Sequence, residues 1–170
     1  MKRRFFPLFC AIALTAQAEE LNVYQKDYRF STVFEVESDG QVLGSVEKSI
    51  WRWLKPLRDT YDIYDEDGNW QATGIGRIFC LGFFRPWGAE FDVYDTKGEK
   101  IGLIDGQFVT TEPAKFSFYN SQGDLVGIAY LDQKSAGFTI FHPQKPSKIL
   151  AYLRRNFIPD QTDHWTISIQ

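Results

Sequence analysis

The stretch FDVYDTKGEKIGLI, residues 91–104, contains the pattern that predicts the fold. Apolar residues alternate with others before the turn, as in Phe91-x-Val93, which is the period of a strand with one buried face. Asp95, two further residues and Gly98 then predict a turn. The carboxylate accepts hydrogen bonds from nearby backbone N–H groups, and glycine takes a positive φ without a steric clash. The stretch therefore predicts a β-hairpin.

Two further segments repeat this pattern without a gap, YDIYDEDGNWQATGI from Tyr61 and FSFYNSQGDLVGIA from Phe116. In all three copies the turn glycine follows an aromatic residue by seven positions. A fourth copy, FEVESDGQVLGSV, has an arm one residue shorter, and FTIFHPQKPSKILAYL resembles a fifth copy without the glycine. A small residue four positions after each turn glycine predicts a bulge or a close-packing point in the returning strand. These small residues are Gly44, Ala72, Gly102 and Gly127.

The sequence from Leu21 to its end contains about twelve strand-like runs, including those of the repeats, and most are short and bounded by Gly, Pro, Asn or Asp. The turn glycines are spaced irregularly, by 28, 30 and 25 residues, and the chain has the length of one compact domain. Both features favour a closed barrel or sandwich over an open array of repeats. The sequence therefore predicts an all-β fold of about twelve short antiparallel strands in a closed or nearly closed barrel of repeated hairpins.

The N terminus has the three parts of a secretory signal peptide, which are a basic start, an apolar run and a small-residue cleavage pattern. Residues 2–4, 5–14 and 16–18 provide them. We therefore expect a signal peptide over residues 1–18 and an exported protein, periplasmic or extracellular, with a single barrel domain over residues 19–170. The apolar run is shorter than the roughly 20 residues that cross a bilayer, and no later run is longer, so we expect no transmembrane segment in the mature chain.

Cleavage would leave 16 basic and 22 acidic residues, so the formal charge would move from −3 to −6. This balance argues against a nucleic-acid partner, which usually needs a basic face. Cys80 would be the single cysteine, so the mature monomer would contain no internal disulfide. A lipoprotein anchored through Cys10 is a less favoured alternative, because the bulky Phe9 precedes that cysteine where a small residue is expected.

The hairpin signature, aromatic-x-apolar-Tyr-Asp-x-x-Gly followed by apolar-Gly-x-apolar, resembles the superfamily of phospholipid scramblases, LURP-one-related proteins and the tubby C-terminal domain. The resemblance covers residues 30–169 and implies a tubby-like barrel of twelve strands. The ending DQTDHWTISIQ is similar to the penultimate part of that family, a strand with Asp-x-Trp. In the family this strand leads into an apolar C-terminal helix inside the barrel, whereas this sequence stops at Gln170.

This departure leaves three interpretations of the barrel interior: filled by side chains, open as a ligand cavity, or occupied by an uncleaved N-terminal segment. Members of the superfamily bind phosphoinositides or other lipids, or are associated with lipid movement. The resemblance thus implies a binding module rather than an enzyme, with a lipid or another amphiphilic or anionic molecule as ligand.

Two segments outside the repeats are candidate binding surfaces. A helix over EKSIWRWLKPLRD up to Pro56 would form an aromatic and cationic surface for an anionic ligand, or a cap over one end of the barrel. The loop CLGFFRPWG could stack on a sugar or enter a lipid interface, or place Phe83 and Trp87 inside the barrel. The candidate ligand-binding residues are Lys48, Trp51, Arg52, Trp53, Lys55, Phe83, Phe84, Arg85 and Trp87.

The segment YDEDGN resembles part of a calcium loop, with Asp65, Asp67 and Asn69 at alternating positions. A calcium loop would continue to a bidentate Glu that is absent at that spacing, so the hairpin interpretation is favoured and no metal or cofactor is expected. A late basic cluster could be an anion site or a solvated strand face. It consists of Lys145, Lys148, Arg154 and Arg155.

The sequence contains no recognisable catalytic motif. His142 and His164 are its two histidines, and Asp163 should point away from His164 on a strand. The apolar neighbours of Cys80 favour a buried, inert thiol. A hydrolase would need one histidine in a cleft beside a carboxylate or a nucleophile.

The other alternative to a lipid-binding module is a protein that binds glycans or envelope polymers. It would use exposed aromatic side chains as stacking platforms. Trp53, Phe84 and Trp87 are the candidates for this role.

Overall fold

The structure of the protein is a computed structural model. The structure describes residues 19–27, 31–49, 60–77, 90–107, 115–132, 137–156 and 163–170, and these contain twelve strands. The strands are β1 (Glu19–Asp27), β2 (Ser31–Ser38), β3 (Gln41–Ser49), β4 (Thr60–Asp65), β5 (Trp70–Gly76), β6 (Glu90–Asp95), β7 (Lys100–Gln107), β8 (Lys115–Asn120), β9 (Leu125–Asp132), β10 (Gly137–His142), β11 (Lys145–Asn156) and β12 (His164–Ile169).

Each strand pairs antiparallel with its sequence neighbours, and β1 pairs with β12 to close the sheet into a barrel. The predicted all-β fold, a closed barrel of about twelve antiparallel strands, is confirmed. Closure leaves every one of these strands with a partner on both sides, so the barrel has no unpaired edge.

The seam between β1 and β12 carries a network of polar side chains. The imidazole of His164 lies 3.2 Å from the Asn22 amide oxygen through Nε2 and 3.3 Å from the Asn156 amide nitrogen through Nδ1. Thr166 donates to Asn22 at 3.3 Å and accepts from Asn156 at 2.9 Å. The ring of His164 also stacks on Tyr24, with centroids 4.3 Å apart. These contacts connect β1, β11 and β12 side by side.

The three glycine turns have the same hydrogen bonds. In the first, Gly68 N donates to Asp65 O at 3.0 Å, and the Asp65 carboxylate accepts from the backbone N–H groups of Asp67 and Asn69 at 3.1 and 2.7 Å. Asp95 and Asn120 make the equivalent bonds in the other two turns. The glycines of these three turns have φ between 77° and 87°, and Gly40 in the turn between β2 and β3 has a φ of 75°. Glycine adopts these values without strain.

The predicted bulges are present in the four glycine hairpins. In β8 and β9, Phe118 faces Gly127 and Tyr119 faces Leu125, so one residue of β9 has no partner. The same shift lies just before Gly44, Ala72 and Gly102. The fifth hairpin has no turn glycine, and His142 replaces the Asp or Asn by accepting from Gln144 N at 3.1 Å.

We expect Gly44→Ala to lower the free energy of unfolding by about 1–3 kcal/mol, as overpacking does. A Cβ there would collide with the Tyr64 carbonyl oxygen and lie 3.2 Å from its carbonyl carbon. Gly74→Ala is the matched control, because its Cβ would meet Tyr61 at an ordinary 3.9 Å. Urea unfolding of both variants tests this, and equal losses would contradict the steric account.

In the part of the chain that the structure describes, the tight turns lie at one end of the barrel, which we call the hairpin end. They comprise residues 39–40, 66–69, 96–99, 121–124 and 143–144. β1 begins and β12 stops at this end too. The opposite end, at which odd-numbered strands stop and even-numbered strands begin, is called the distal end.

One face of the sheet is mainly apolar, as a lateral row of neighbours from β7 to β11 illustrates. Ala151 pairs with Ile140, Ile140 with Ala129, Ala129 with Phe116, and Phe116 with Gly106. The contacts between rings identify this face as the concave one.

Tyr61 and Phe91 belong to strands separated by β5, about 10 Å apart at the backbone. Their ring centroids nevertheless lie 5.5 Å apart, and Phe116 and Phe138 meet at 5.5 Å across β9. Side chains from alternate strands converge in this way on the inside of a barrel, so the apolar face is the inner wall.

The outer wall carries most of the charged side chains. Arg77 donates to both oxygens of Asp92 at 2.8 Å and to Glu90 at 2.7 Å, and Lys100 lies 2.5 Å from Asp92. The hydrogen bonds from Arg77, opposed by partial burial, hold the pKa of Asp92 below its ordinary value. The pKa of Asp105 is raised, first by burial and then by the nearby Glu90 carboxylate.

Substitution of these two acids should have opposite effects. Asp92→Asn should lower the free energy of unfolding at pH 7 by about 1–2 kcal/mol, since it removes charge-assisted hydrogen bonds from a side chain that is only 17% exposed. Asp105→Asn should raise it, because the carboxylate form is disfavoured in the folded state.

The pH dependence follows from the two directions of shift. The Asp92 contribution exists above the ordinary pKa of 3.8 and disappears as the pH falls through the lower folded value. The penalty at Asp105 exists above its raised folded pKa and disappears at acid pH. Urea unfolding across pH 2–7 measures both, and a loss of stability in Asp105→Asn at pH 7 would contradict this assignment.

Candidate binding site inside the barrel

The enclosed space is wide for a β-barrel. With strands about 4.8 Å apart and tilted by about 40°, twelve strands give a diameter of about 24 Å at the backbone. About eight strands already enclose enough space for side chains or one small ligand. The interior of this barrel, which we call the lumen, is therefore wider than that of an eight-stranded barrel. Its inner wall is the candidate binding site.

Small residues alternate with large ones along the inner wall. A Cβ at Gly127 would meet Ile140 at 3.3 Å and Phe118 at 3.4 Å, so the side chains on both flanking strands lean over this glycine. Ala72 and Ala151 are fully buried on the same wall. The wall is thus packed by its large side chains covering the small residues beside them.

Two clusters of buried residues lie on the described part of the wall. One contains Phe118, Ala129, Ile140, Leu150 and Ala151, and the other contains Leu21, Val23 and Val36. The first lies on β8 to β11, and the second lies on β1 and β2. Ala72 and Val93 are buried on the same wall outside these clusters.

An aromatic residue lies on the inner wall near the start of every even-numbered strand, and together these six form a ring at the distal end, the aromatic collar. Tyr61 meets Phe91, and Phe116 meets Phe138, in edge-to-face contacts with interplanar angles of 75° and 69°. The side chains of the collar are partly buried rather than fully covered. The collar consists of Phe34, Tyr61, Phe91, Phe116, Phe138 and Trp165.

Two cations lie beside collar rings on the inner wall. Lys48 Nζ is 5.4 Å from the Tyr61 ring centroid, and the Arg155 guanidinium carbon is 5.8 Å from that of Trp165. Arg155 Nε also donates to Asp163 Oδ1 at 2.6 Å. Both cations therefore lie at the distal end, where they make cation–π contacts.

The hairpin end of the inner wall carries acids instead. Asp65 pairs with Gly44 and Asp95 with Ala72, which places both on the inner face, and Glu19 faces Ile169. Burial opposes ionisation of Asp65, but hydrogen bonds from Asn69, Gln71 and Asp67 together hold its pKa below the ordinary value. Among the described residues of the inner wall, the distal end thus carries Lys48, Arg155 and the carboxylate of Asp163, whereas the hairpin end carries the carboxylates of Glu19, Asp65 and Asp95.

Of the predicted ligand-binding residues, the structure describes only Lys48. It lies in β3, paired with Thr32 and Tyr61, so its predicted place on a helix was wrong. The arm of β3 continues to Ser49 because β2 supplies a partner as far as Ser49 and β4 supplies one as far as Lys48. The other eight lie outside the described residues: Trp51, Arg52, Trp53, Lys55, Phe83, Phe84, Arg85 and Trp87. Cys80 and the predicted signal peptide lie outside them as well.

The Asp65 carboxylate accepts hydrogen bonds from the turn backbone and from the side chains of Asn69 and Gln71. This arrangement favours the hairpin interpretation over a calcium loop that includes Asp67. Within the described ranges, no group of three or more His, Cys, Asp or Glu side chains is placed to hold a metal ion.

The late basic cluster is not a cluster in the structure. Lys145 and Lys148 are exposed at the hairpin end of β11, whereas Arg154 and Arg155 lie near its distal end and on opposite faces. The twelve-residue length of β11 separates the two pairs, so the interpretation as one anion site was wrong.

The histidines have structural contacts. His142 closes the fifth hairpin turn, and His164 belongs to the seam network. Asp163 points to Arg155 on the inner wall while His164 points to the outer wall, as predicted.

Sequence reasoning missed the collar and the Arg155–Trp165 contact. The signal for the collar was present, since an aromatic residue opens each repeat, but the repeat was interpreted only as a strand pattern. Arg155 and Trp165 are ten positions apart, and only the pairing of β11 with β12 brings them together.

The comparisons with known proteins bear on the fold. No protein-family model matches the sequence, and no curated protein matches it either. A solved X-ray structure of a protein from Arabidopsis thaliana is similar with a TM-score of 0.57 and 10% sequence identity, over 89% of this chain and 79% of that chain. At this identity the likeness shows the fold alone. No helix in the described part of the chain is long and apolar enough to cross a membrane.

The contact between Phe116 and Phe138 should be measurable as a coupling. We expect Phe116→Leu and Phe138→Leu to be non-additive by about 0.5–1.5 kcal/mol in a double-mutant cycle, the usual energy of an aromatic pair. Phe34→Leu with Phe116→Leu is the control pair, since β2 and β8 lie across the barrel and should add within about 0.5 kcal/mol. Urea unfolding gives the free energies, and equal couplings in both cycles would contradict a direct ring contact.

Proposed function

We propose that the protein is an exported, non-enzymatic binding module that holds a lipid or another amphiphile inside its barrel. The observation that carries this proposal is the mainly apolar inner wall of a closed barrel of twelve strands. Collar residues such as Phe91 and Phe116 on this wall are partly exposed. Covering apolar surface is worth about 25 cal/mol per Å², so an apolar occupant gains free energy in the lumen.

Two further points support the proposal. The hairpin signature resembles the tubby-like superfamily, whose members bind or are associated with lipids. Ligand sites are typically concave and mostly apolar with a few polar groups, and the inner wall has this composition, with Lys48 and Arg155 as its cations.

Native mass spectrometry of the exported protein, as the cell processes it, tests the proposal directly. We expect a non-covalent adduct in the native spectrum that disappears on denaturation, and its mass identifies the class of lipid. The neutral apolar dye N-phenyl-1-naphthylamine should become fluorescent in the lumen and should be displaced by added amphiphile. A protein that carries no adduct and binds no dye would overturn the proposal.

Substitutions at two neighbouring positions distinguish dye binding inside the barrel from dye binding outside it. Ile104 lies on the inner wall and is only partly buried, whereas Leu103 pairs with Asp92 and Tyr119 on the outer wall. We expect Ile104→Gln to weaken dye binding about tenfold and Leu103→Gln to leave it unchanged, because only the first places a polar group in the lumen.

Ile104→Trp is the second variant, which fills volume without adding a charge and should also reduce dye binding. Circular dichroism and urea unfolding establish that each variant is folded. Equal effects at positions 103 and 104 would show that the dye binds outside the barrel.

A further inference from the structure

We infer that the lumen selects amphiphiles with an anionic head, carboxylate or phosphate, and holds that head at the distal end beside Arg155. This inference rests on the proposed function, since it requires that an amphiphile enters the barrel. It adds the charge of the ligand, its orientation and the residues that set both.

The charges on the inner wall determine the end of the barrel at which the head of the guest lies. Lys48 and Arg155 face inward at the distal end, and Asp65 and Asp95 face inward at the hairpin end. Charges in a low-dielectric space interact more strongly than in water, so an elongated guest with one charged end has a preferred orientation. Asp163 at the distal end offsets one of the two cations, so these three residues carry a formal charge of +1, and an anionic head is attracted to them and repelled from Asp65 and Asp95.

Arg155 has the chemistry that the head requires. An arginine presents five N–H donors in a planar fork that matches carboxylate and phosphate oxygens. Its guanidinium lies over the Trp165 indole, which fixes its position beside the collar. The Arg155 side chain is 37% exposed.

Asp163 accepts from Arg155 Nε at 2.6 Å and is a carboxylate of the kind that the guest would bring. We assign it the role of an internal counter-ion, which holds Arg155 at the distal end and competes with the head for its donors. Substitution of Asp163 and substitution of Arg155 should therefore change the affinity for an anionic guest in opposite directions. If the ion pair were purely structural, both substitutions would change it in the same direction.

The experiment measures displacement of N-phenyl-1-naphthylamine from the exported protein by three guests with one tail length. These are palmitate, hexadecyl phosphate and hexadecylamine, below their critical micelle concentrations. We expect the two anions to displace the dye at least about tenfold more effectively than the amine, the size expected for one charge-assisted contact. Equal potency of the amine would overturn the inference, and the ratio of the two anions tells a carboxylate site from a phosphate site.

The variants test the residues. Arg155→Gln should lower the affinity for palmitate about tenfold and leave dye binding unchanged. Asp163→Asn should raise the affinity for palmitate several-fold, because the competing carboxylate is removed. Arg154→Gln is the matched control, since this neighbour lies on the outer wall against Tyr152. Lys148→Gln controls for a cation at the hairpin end.

The outcomes separate the two proposals. Dye binding reports an intact lumen in every variant, so a variant that no longer folds is recognised by its loss of dye. A lower affinity for palmitate in both Arg155→Gln and Asp163→Asn would mean that the ion pair is only structural. The inference would then fail while the proposed function stands. If the unaltered protein binds neither dye nor palmitate, the proposed function itself fails.

Discussion

The hydrogen bonds from the turn backbone to Asp65, Asp95 and Asn120 fix the structure on which everything else depends. They set the register of three hairpins, and in a strand the register decides which side chains face inward. A slip of one residue would send an apolar arm such as Phe91-x-Val93 to the outside. The bulge that follows each turn belongs to the same constraint, because it decides which residues of the returning strand face inward, as for Gly127 between Phe118 and Ile140.

The fold could be predicted from the sequence because its rules are local. Turn chemistry and a period of two lie within single hairpins, as in residues 91–104. Closure was predicted from the irregular spacing of the turn glycines and from the length of one compact domain. The position of Lys48 could not be predicted in this way. The local sequence around it suits an amphipathic helix, and only the partners on β2 and β4 keep it extended.

The candidate site depends on non-local placement, which a single sequence does not reveal. Arg154 and Arg155 are adjacent in sequence but face opposite sides of the wall, so one lies against Tyr152 and the other against Trp165. The collar has the same origin. Its six members come from six strands, and only the closure of the barrel turns a repeated aromatic position into a ring.

The seam network has a consequence for the order of assembly. Neighbouring strands elsewhere are close in sequence, and those of the hairpin-end turns can align as soon as their turn forms, whereas β1 and β12 are separated by almost the whole chain. Since no turn joins these two strands, the contacts of His164 with Tyr24 and Asn22 supply the alignment that a turn provides elsewhere. The side-chain contacts on the outer wall of the seam therefore align β1 and β12 in the last step of folding. Before these two strands pair, the barrel is a curved sheet with two unpaired edge strands.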